Sequence, residues 1–178
     1  SGITVLDFES LSFSAALDIN ANPIWFSSSD SFPSSNKIIV TQVLENGNFL
    51  GFGNGTGYEF DIDSQIIFQT PSVYGVHHQI HKTNYGTYFL IDAEVEDYPC
   101  PDECSSNLPV IIPWQGDRFV ELDSNGEAIW EWNTFDYISL NEYNPSWLNG
   151  ATNNFDWTHS NSVFFDSGTV YVSIRNLS

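Results

Sequence analysis

Apolar and polar residues alternate along much of the chain with a period of two. In Tyr88-Phe89-Leu90-Ile91 and Val170–Ile174 most residues are β-branched or aromatic, and no stretch keeps an apolar period of 3.6 over three turns. The pattern predicts strands and turns, and it repeats. Ala16–Trp25, Glu59–Phe68 and Glu121–Trp130 each read as a strand ending at an aspartate, a polar turn, and a strand ending in a large aromatic. The Asp123-Ser124-Asn125-Gly126 version is a strong hairpin signal. A second unit alternates with the first, at Thr41–Phe52, His78–Leu90 and Asn161–Val172, each a strand, a glycine-containing turn and a strand.

Two hairpins in about 40 residues is the size of a four-stranded propeller blade. The expected fold class is therefore all-β, a β-propeller of about three to four four-stranded blades within residues 1–178. A β-sandwich of similar hairpins is the alternative, but it gives no reason to repeat the same pair of hairpins in the same order. Asp18 and Asp61 are 43 residues apart and Asp61 and Asp123 are 62 apart. The excess falls in residues 95–116, read as an acidic, cysteine-containing insertion between strands that stays solvated and shapes a pocket rim or partner surface. Closed rings typically hold about 4–8 blades, so the chain is expected to be part of a larger propeller or to be completed by another chain.

Composition narrows the function classes. Among 178 residues there are 4 Lys+Arg against 23 Asp+Glu, a formal net charge of −19. Nucleic-acid binding needs clustered cations and is excluded, and an anionic membrane surface is disfavoured for the same reason. No apolar run approaches the roughly 20 residues of a membrane helix. Hydrophobic residues at 41% and aromatics at 16% are ample for a packed core. The chain begins at Ser1 without an initiator methionine and is expected to be processed or trimmed, with a secreted, periplasmic or extracellular setting. Cys100 and Cys104, in Cys-Pro-Asp-Glu-Cys, can close a small disulfide loop. Free thiols or a metal site are the alternatives, and a metal needs about four ligands where no second pair is near. Asn54 and Asn176 head glycosylation tripeptides, which arise often by chance in a chain rich in Asn, Ser and Thr. Asp61-Ile62-Asp63 and Asp123–Gly126 read as hairpin turns rather than calcium loops, because the later ligand positions are out of register.

Candidate chemistry gathers in two segments at equivalent places in successive repeats, Tyr74–His81 and Asn154–Val163, which together hold all four histidines. Inner strands of a propeller bring residues at one end to a common axis, so histidines distant in sequence can meet there. Arg175 follows on the next strand, and a planar guanidinium in so acidic a chain points to a specific anion such as sulfate, phosphate or carboxylate. Taken singly, each residue has a plainer reading, as an edge polar group, a turn cap or the partner of one of many acids. Trp114 and Trp147 offer aromatic walls for a phenolic ligand or plugs over blade ends.

Phe155–Val163 followed by Val172–Asn176 resembles the Asp-Trp-x-His-x-Asn … Ser-x-Arg signature of the arylsulfotransferase family, and His77-His78-Gln79-Ile80 resembles its His-His-Asp-Ile element, with Gln79 where an aspartate is common. Leu44–Leu50 and Gly126–Trp132 are similar to its blade repeats. The resemblance implies a secreted or periplasmic six-bladed propeller. Its members move a sulfuryl group from a phenolic sulfate ester to another phenol, through a transient sulfohistidine and without the nucleotide sulfate donor. No cofactor and no metal are implied. Carried over residue by residue, it gives His78, His159 and Arg175 as catalytic, binding the sulfuryl oxygens and assisting proton transfer. It gives His77, Asn161 and Trp157 as substrate-binding, with Asn161 orienting His159 or touching the anion. Strand alternation allows only one of His77 and His78 to face the axis, and His78 is the expected one. The family's nucleophilic histidine lies after the Arg motif, in a later blade, and no residue of this chain matches it.

The expected ligand is a small aromatic sulfate or phenol. A non-catalytic secreted propeller for adhesion, matrix or filament assembly, self-associating or completed by another chain through exposed strand edges, is the competing function. A lectin-like sugar- or calcium-binding propeller is a weaker third.

Overall fold

The structure is a computed structural model that describes residues 2–8, 13–27, 32–33, 38–101, 110–150 and 154–177. It is all-β, with antiparallel sheets that follow one another along the chain. The first sheet holds β1 (Thr4–Phe8), β2 (Phe13–Leu17) and β3 (Pro23–Phe26). The second holds β4 (Ile39–Val43), β5 (Phe49–Gly53), β6 (Thr56–Phe60) and β7 (Ile66–Gln69), in chain order. The third holds β8 (Val76–Lys82), β9 (Tyr88–Pro99), β10 (Ile111–Leu122) and β11 (Ala128–Asn133), with the short β12 (Phe155–Asp156) running parallel to β10. The fourth pairs β13 (Ser160–Asp166) with β14 (Thr169–Ile174). Each sheet is a meander of successive strands, as in propeller blades. Among the described residues, two sheets have the full four-strand path; the first shows three strands and the last shows two. Among the described residues no helix is long and apolar enough to cross a membrane.

Both hairpin units close with one turn geometry. At Asp18, Leu44, Asp61, Thr83 and Asp123 the first residue's N–H donates to the carbonyl four residues on, at 2.8–3.1 Å. The residue at the fourth position has φ between 63° and 88°. Glycine fills that position at Gly47, Gly86 and Gly126, while Ala21 and Ser64 adopt the same left-handed conformation with a side chain. In the three aspartate turns the carboxylate accepts from the backbone N–H groups two and four residues on, as Asp123 does from Asn125 at 2.8 Å and Glu127 at 2.9 Å. The carboxylates are the locking element of hairpin turns, as the turn reading expects.

The sheets pack face to face, and the core lies between neighbours. Val40, Phe49, Tyr58 and Phe60 cluster between the first and second sheets, with Val5 and Trp25 against them. Leu50 and Phe68 meet Val76, Ile80, Leu90 and Val120 between the second and third. Phe89, Ile91 and Phe119 meet Val163 between the third and fourth. Each such side chain contributes about 1.5–3 kcal/mol on full burial. Two buried carboxylates are paired as well: Glu59 with Lys82 Nζ at 2.5 Å, and Asp92 with Arg118 Nη2 at 2.5 Å.

The insertion differs from its expected form. Strands β9 and β10 stay paired from Tyr88↔Leu122 to Pro99↔Ile111, so residues 95–99 and 111–116 form a two-stranded ribbon. The cause is visible in Val95–Pro99 and Ile111–Trp114, whose alternating residues give the ribbon one covered face. Tyr98, Ile112 and Trp114 pack there with Phe155 and Trp157, and Cys100 lies against the same cluster. Cys104 falls outside the described residues.

Candidate functional site

The two histidine segments meet. His78 Nε2 lies 3.1 Å from His159 Nε2, across 81 residues of chain. Both residues have positive φ, 56° at His78 and 47° at His159, in places where the strands are irregular. In β8 the pairing with β9 slips between Val76 and Ile80, because four residues of β8 span two of β9. That bulge overrides the alternation expected of a regular strand. The His77 and His78 rings sit edge to face at 5.3 Å, and His77 Nε2 reaches Asp117 Oδ1 at 3.0 Å. Both histidines therefore belong to the site, in different roles, rather than one facing it and one facing away.

His159 is held from behind. Its Nδ1 hydrogen-bonds Asp156 Oδ2. With a proton on Nδ1, the lone pair of a neutral imidazole sits on Nε2, so His78 supplies the proton between the two rings. The backbone is fixed from two sides, by β10 and by the segment after β14: Trp157 N–H donates to Gln115 O at 2.9 Å, Arg175 N–H to His159 O at 3.3 Å, and Asn176 N–H to Thr158 O at 3.0 Å. Gln79 Oε1 accepts from Val163 N–H at 2.9 Å and ties β8 to β13.

Under this turn lies Asp117, buried at 1% exposure on β10. Its Oδ2 accepts from Thr158 Oγ1 at 2.5 Å and from Ser160 N–H at 2.7 Å. Burial opposes its charge, but these bonds and the contact with His77 outweigh that and hold the carboxyl below its ordinary range. Its own N–H donates to Thr134 Oγ1 at 3.0 Å. Gly116 makes that approach possible: a Cβ there would stand 2.6 Å from the same hydroxyl.

Arg175 is exposed just after β14, where its backbone N–H meets His159 O. Its guanidinium lies over the Trp147 ring at 4.9 Å, and Nε donates to Asn176 Oδ1 at 3.0 Å. Trp147 is 42% exposed, whereas Trp114 is a core residue. Trp157, expected to bind substrate, is corrected to the core: it is fully buried and its Nε1 donates to Glu142 O at 3.0 Å. A tryptophan between two short strands satisfies its N–H inward and shows no face to a ligand. Asn161 is exposed where the β13–β14 pairing slips between Ser160 and Ser162, and the orienting contact on His159 comes from Asp156. His81, the fourth histidine, is apart, against Phe164 at 5.3 Å, with its pKa lowered by burial. Asn176 is buried and donates to Asp156 O at 2.6 Å, so its amide is engaged in the fold; Asn54 is exposed in a turn.

Asp156 opens the Asp-Trp-x-His signature, whereas Asp117 is one of 23 acids and belongs to no motif. Asp156 stands three residues before His159, a spacing that permits a local carboxylate–imidazole bond; nothing in sequence marks Asp117.

A family model described as Arylsulfotransferase (ASST) matches residues 3–178. Comparison with curated proteins gives no match.

Proposed function

Because the chain belongs to the arylsulfotransferase family, we propose that it binds a phenolic sulfate ester at His78, His159 and Arg175 and serves sulfuryl transfer to a phenol. The observation that carries this reading is the 3.1 Å approach of His78 Nε2 to His159 Nε2. In the transfer, the bond between sulfur and the bridging oxygen breaks while sulfur bonds to the attacking group. The departing phenolate oxygen gains charge, and the proton shared by the two imidazoles neutralises it. The incoming phenol returns a proton to the pair when it accepts the sulfuryl group. Asp156 keeps His159 in the tautomer this needs and stabilises its protonated form.

Arg175 is the cation for the non-bridging oxygens, whose negative charge persists through the transfer. Stacking on Trp147 holds the guanidinium plane, and the exposed indole offers a surface to the phenyl ring. The attacking group is assigned to no residue of this chain. The same reading puts the protein outside the cytoplasm, with Cys100 and Cys104 bonded to each other.

Calorimetric binding of phenyl sulfate and transfer from 4-nitrophenyl sulfate to a phenol test the proposal. His78→Ala and His159→Ala each lower transfer about 100-fold, and Arg175→Ala weakens binding of the ester. Equal binding and equal turnover in wild type and all three variants overturn it, as does a folded wild-type protein that does neither.

A further inference from the structure

We infer that Asp117 is a positioning residue that sets the spacing of the His78–His159 pair from behind, an inference that rests on the function proposed above. One carboxylate serves both histidine segments. Its Oδ2 bonds the residues on either side of His159, namely Thr158 Oγ1 at 2.5 Å and Ser160 N–H at 2.7 Å. Its Oδ1 lies 3.0 Å from Nε2 of His77, the neighbour of His78. Asp117 thus touches neither member of the pair but grips the chain next to both.

The grip has something to hold. His78 and His159 each sit at positive φ, a conformation that a residue with a Cβ adopts at a cost of about 1–2 kcal/mol. Both stretches would relax towards regular strand if released, and relaxation turns a side chain to the opposite face. A carboxylate at 1% exposure that holds fixed donors from two strands opposes this relaxation on both sides at once. Asp117 is itself fixed by Thr134 Oγ1 at 3.0 Å and by the long β9–β10 pairing, in which its Cα faces Ala93. The anchor stands on the third sheet, while His159 stands at the entry to the fourth, which shows two strands among the described residues.

The conservative variant is Asp117→Asn, in the full chain. It keeps shape and one acceptor oxygen but turns an N–H₂ group towards a partner, so either the His159 turn or His77 loses its bond. Turnover of 4-nitrophenyl sulfate is expected to fall about 10- to 100-fold, because displaced reacting groups lose rate steeply. KM should change less than about 3-fold, because Arg175 and Trp147 still hold the ester. Nitrogen-15 histidine spectra should show loss of the ring-to-ring contact between His78 and His159 and a changed tautomer at His77. Glu59→Gln is the control, since it disturbs another buried carboxylate, on β6; it lowers stability and leaves the histidine spectrum unchanged. An Asp117→Asn protein that folds with the wild-type histidine spectrum overturns the inference. So does a spectrum equally altered by Glu59→Gln, because the role is then general stability. If wild type transfers no sulfuryl group, the proposed function fails, and the spectra still decide whether Asp117 positions the pair.

Discussion

At His159 the imidazole is specified on three sides: Nδ1 by Asp156, Nε2 by His78, and the backbone on both flanks by Asp117. Charges this confined make stability depend on pH. Asp117 has its pKa lowered from 3.8, and Glu59 from 4.5. In both, burial is the largest influence and opposes the charge, and hydrogen bonds reverse it; those on Glu59 come from Lys82, Tyr88 and Asn48. The unfolded chain therefore takes up protons first. The stability these groups contribute is complete above their ordinary values and is lost as pH falls through the lower folded ones. His81 acts in a higher window: burial lowers its pKa from 6.5, so stability is complete above 6.5 and declines below it. Urea midpoints between pH 8 and pH 3 should thus show an early decline beginning near pH 6.5 and a steeper one below about pH 4.5. His81→Gln should remove the first and Asp117→Asn should flatten the second. A single decline unaffected by either substitution contradicts these assignments.

At the scale of elements, the hairpins were legible because each local signal has a local cause. The aspartate that ends one strand accepts two backbone N–H groups of its own turn, so its role survives any tertiary context. The alternation of apolar residues foretold the face-to-face sheets. The extra length in the Cys100 region was legible as an insertion but not as a ribbon, because charged residues at Glu94 and Glu96 stand on the covered face of β9. The bulge in β8 was not legible at all. Nothing in Val76-His77-His78-Gln79-Ile80 marks it; it follows from bonds to β13 and β10, which are 40 to 84 residues away in sequence. His78 and His159 were recognisable from their motif, while Asp117 is visible only in space. The turns also give a direct test. Ala21 occupies a position where glycine stands in three equivalent turns, so Ala21→Gly should raise stability by about 0.5–1 kcal/mol. Gly126→Ala should lower it, since φ is 85° and a Cβ would press Pro71 at 3.2 Å. Thermal denaturation of both variants checks the pair, and a destabilised Ala21→Gly or a stabilised Gly126→Ala contradicts the common turn geometry.

Across the whole molecule, each sheet is stabilised mainly by its neighbours in the chain, so cohesion is distributed along a row of interfaces rather than around one centre. The site lies on one of those seams. His77, His78, Asp117 and Asp156 belong to the third sheet; His159 and Arg175 bracket the fourth, whose β14 has exposed Tyr171 and Val172 and pairs only with β13 among the described residues. The fourth sheet is the element with least to lose by lifting away, and sub-global opening samples such elements first. Loss of the His78–His159 contact should therefore come at lower urea than loss of far-ultraviolet strand signal, with phenyl sulfate drawing the two transitions together. Coincident transitions without ligand would contradict this. A seam bridged by two imidazoles is also a fastener: under the proposed function, an anion held between them ties the fourth sheet to the third, so occupancy and order of that sheet rise and fall together.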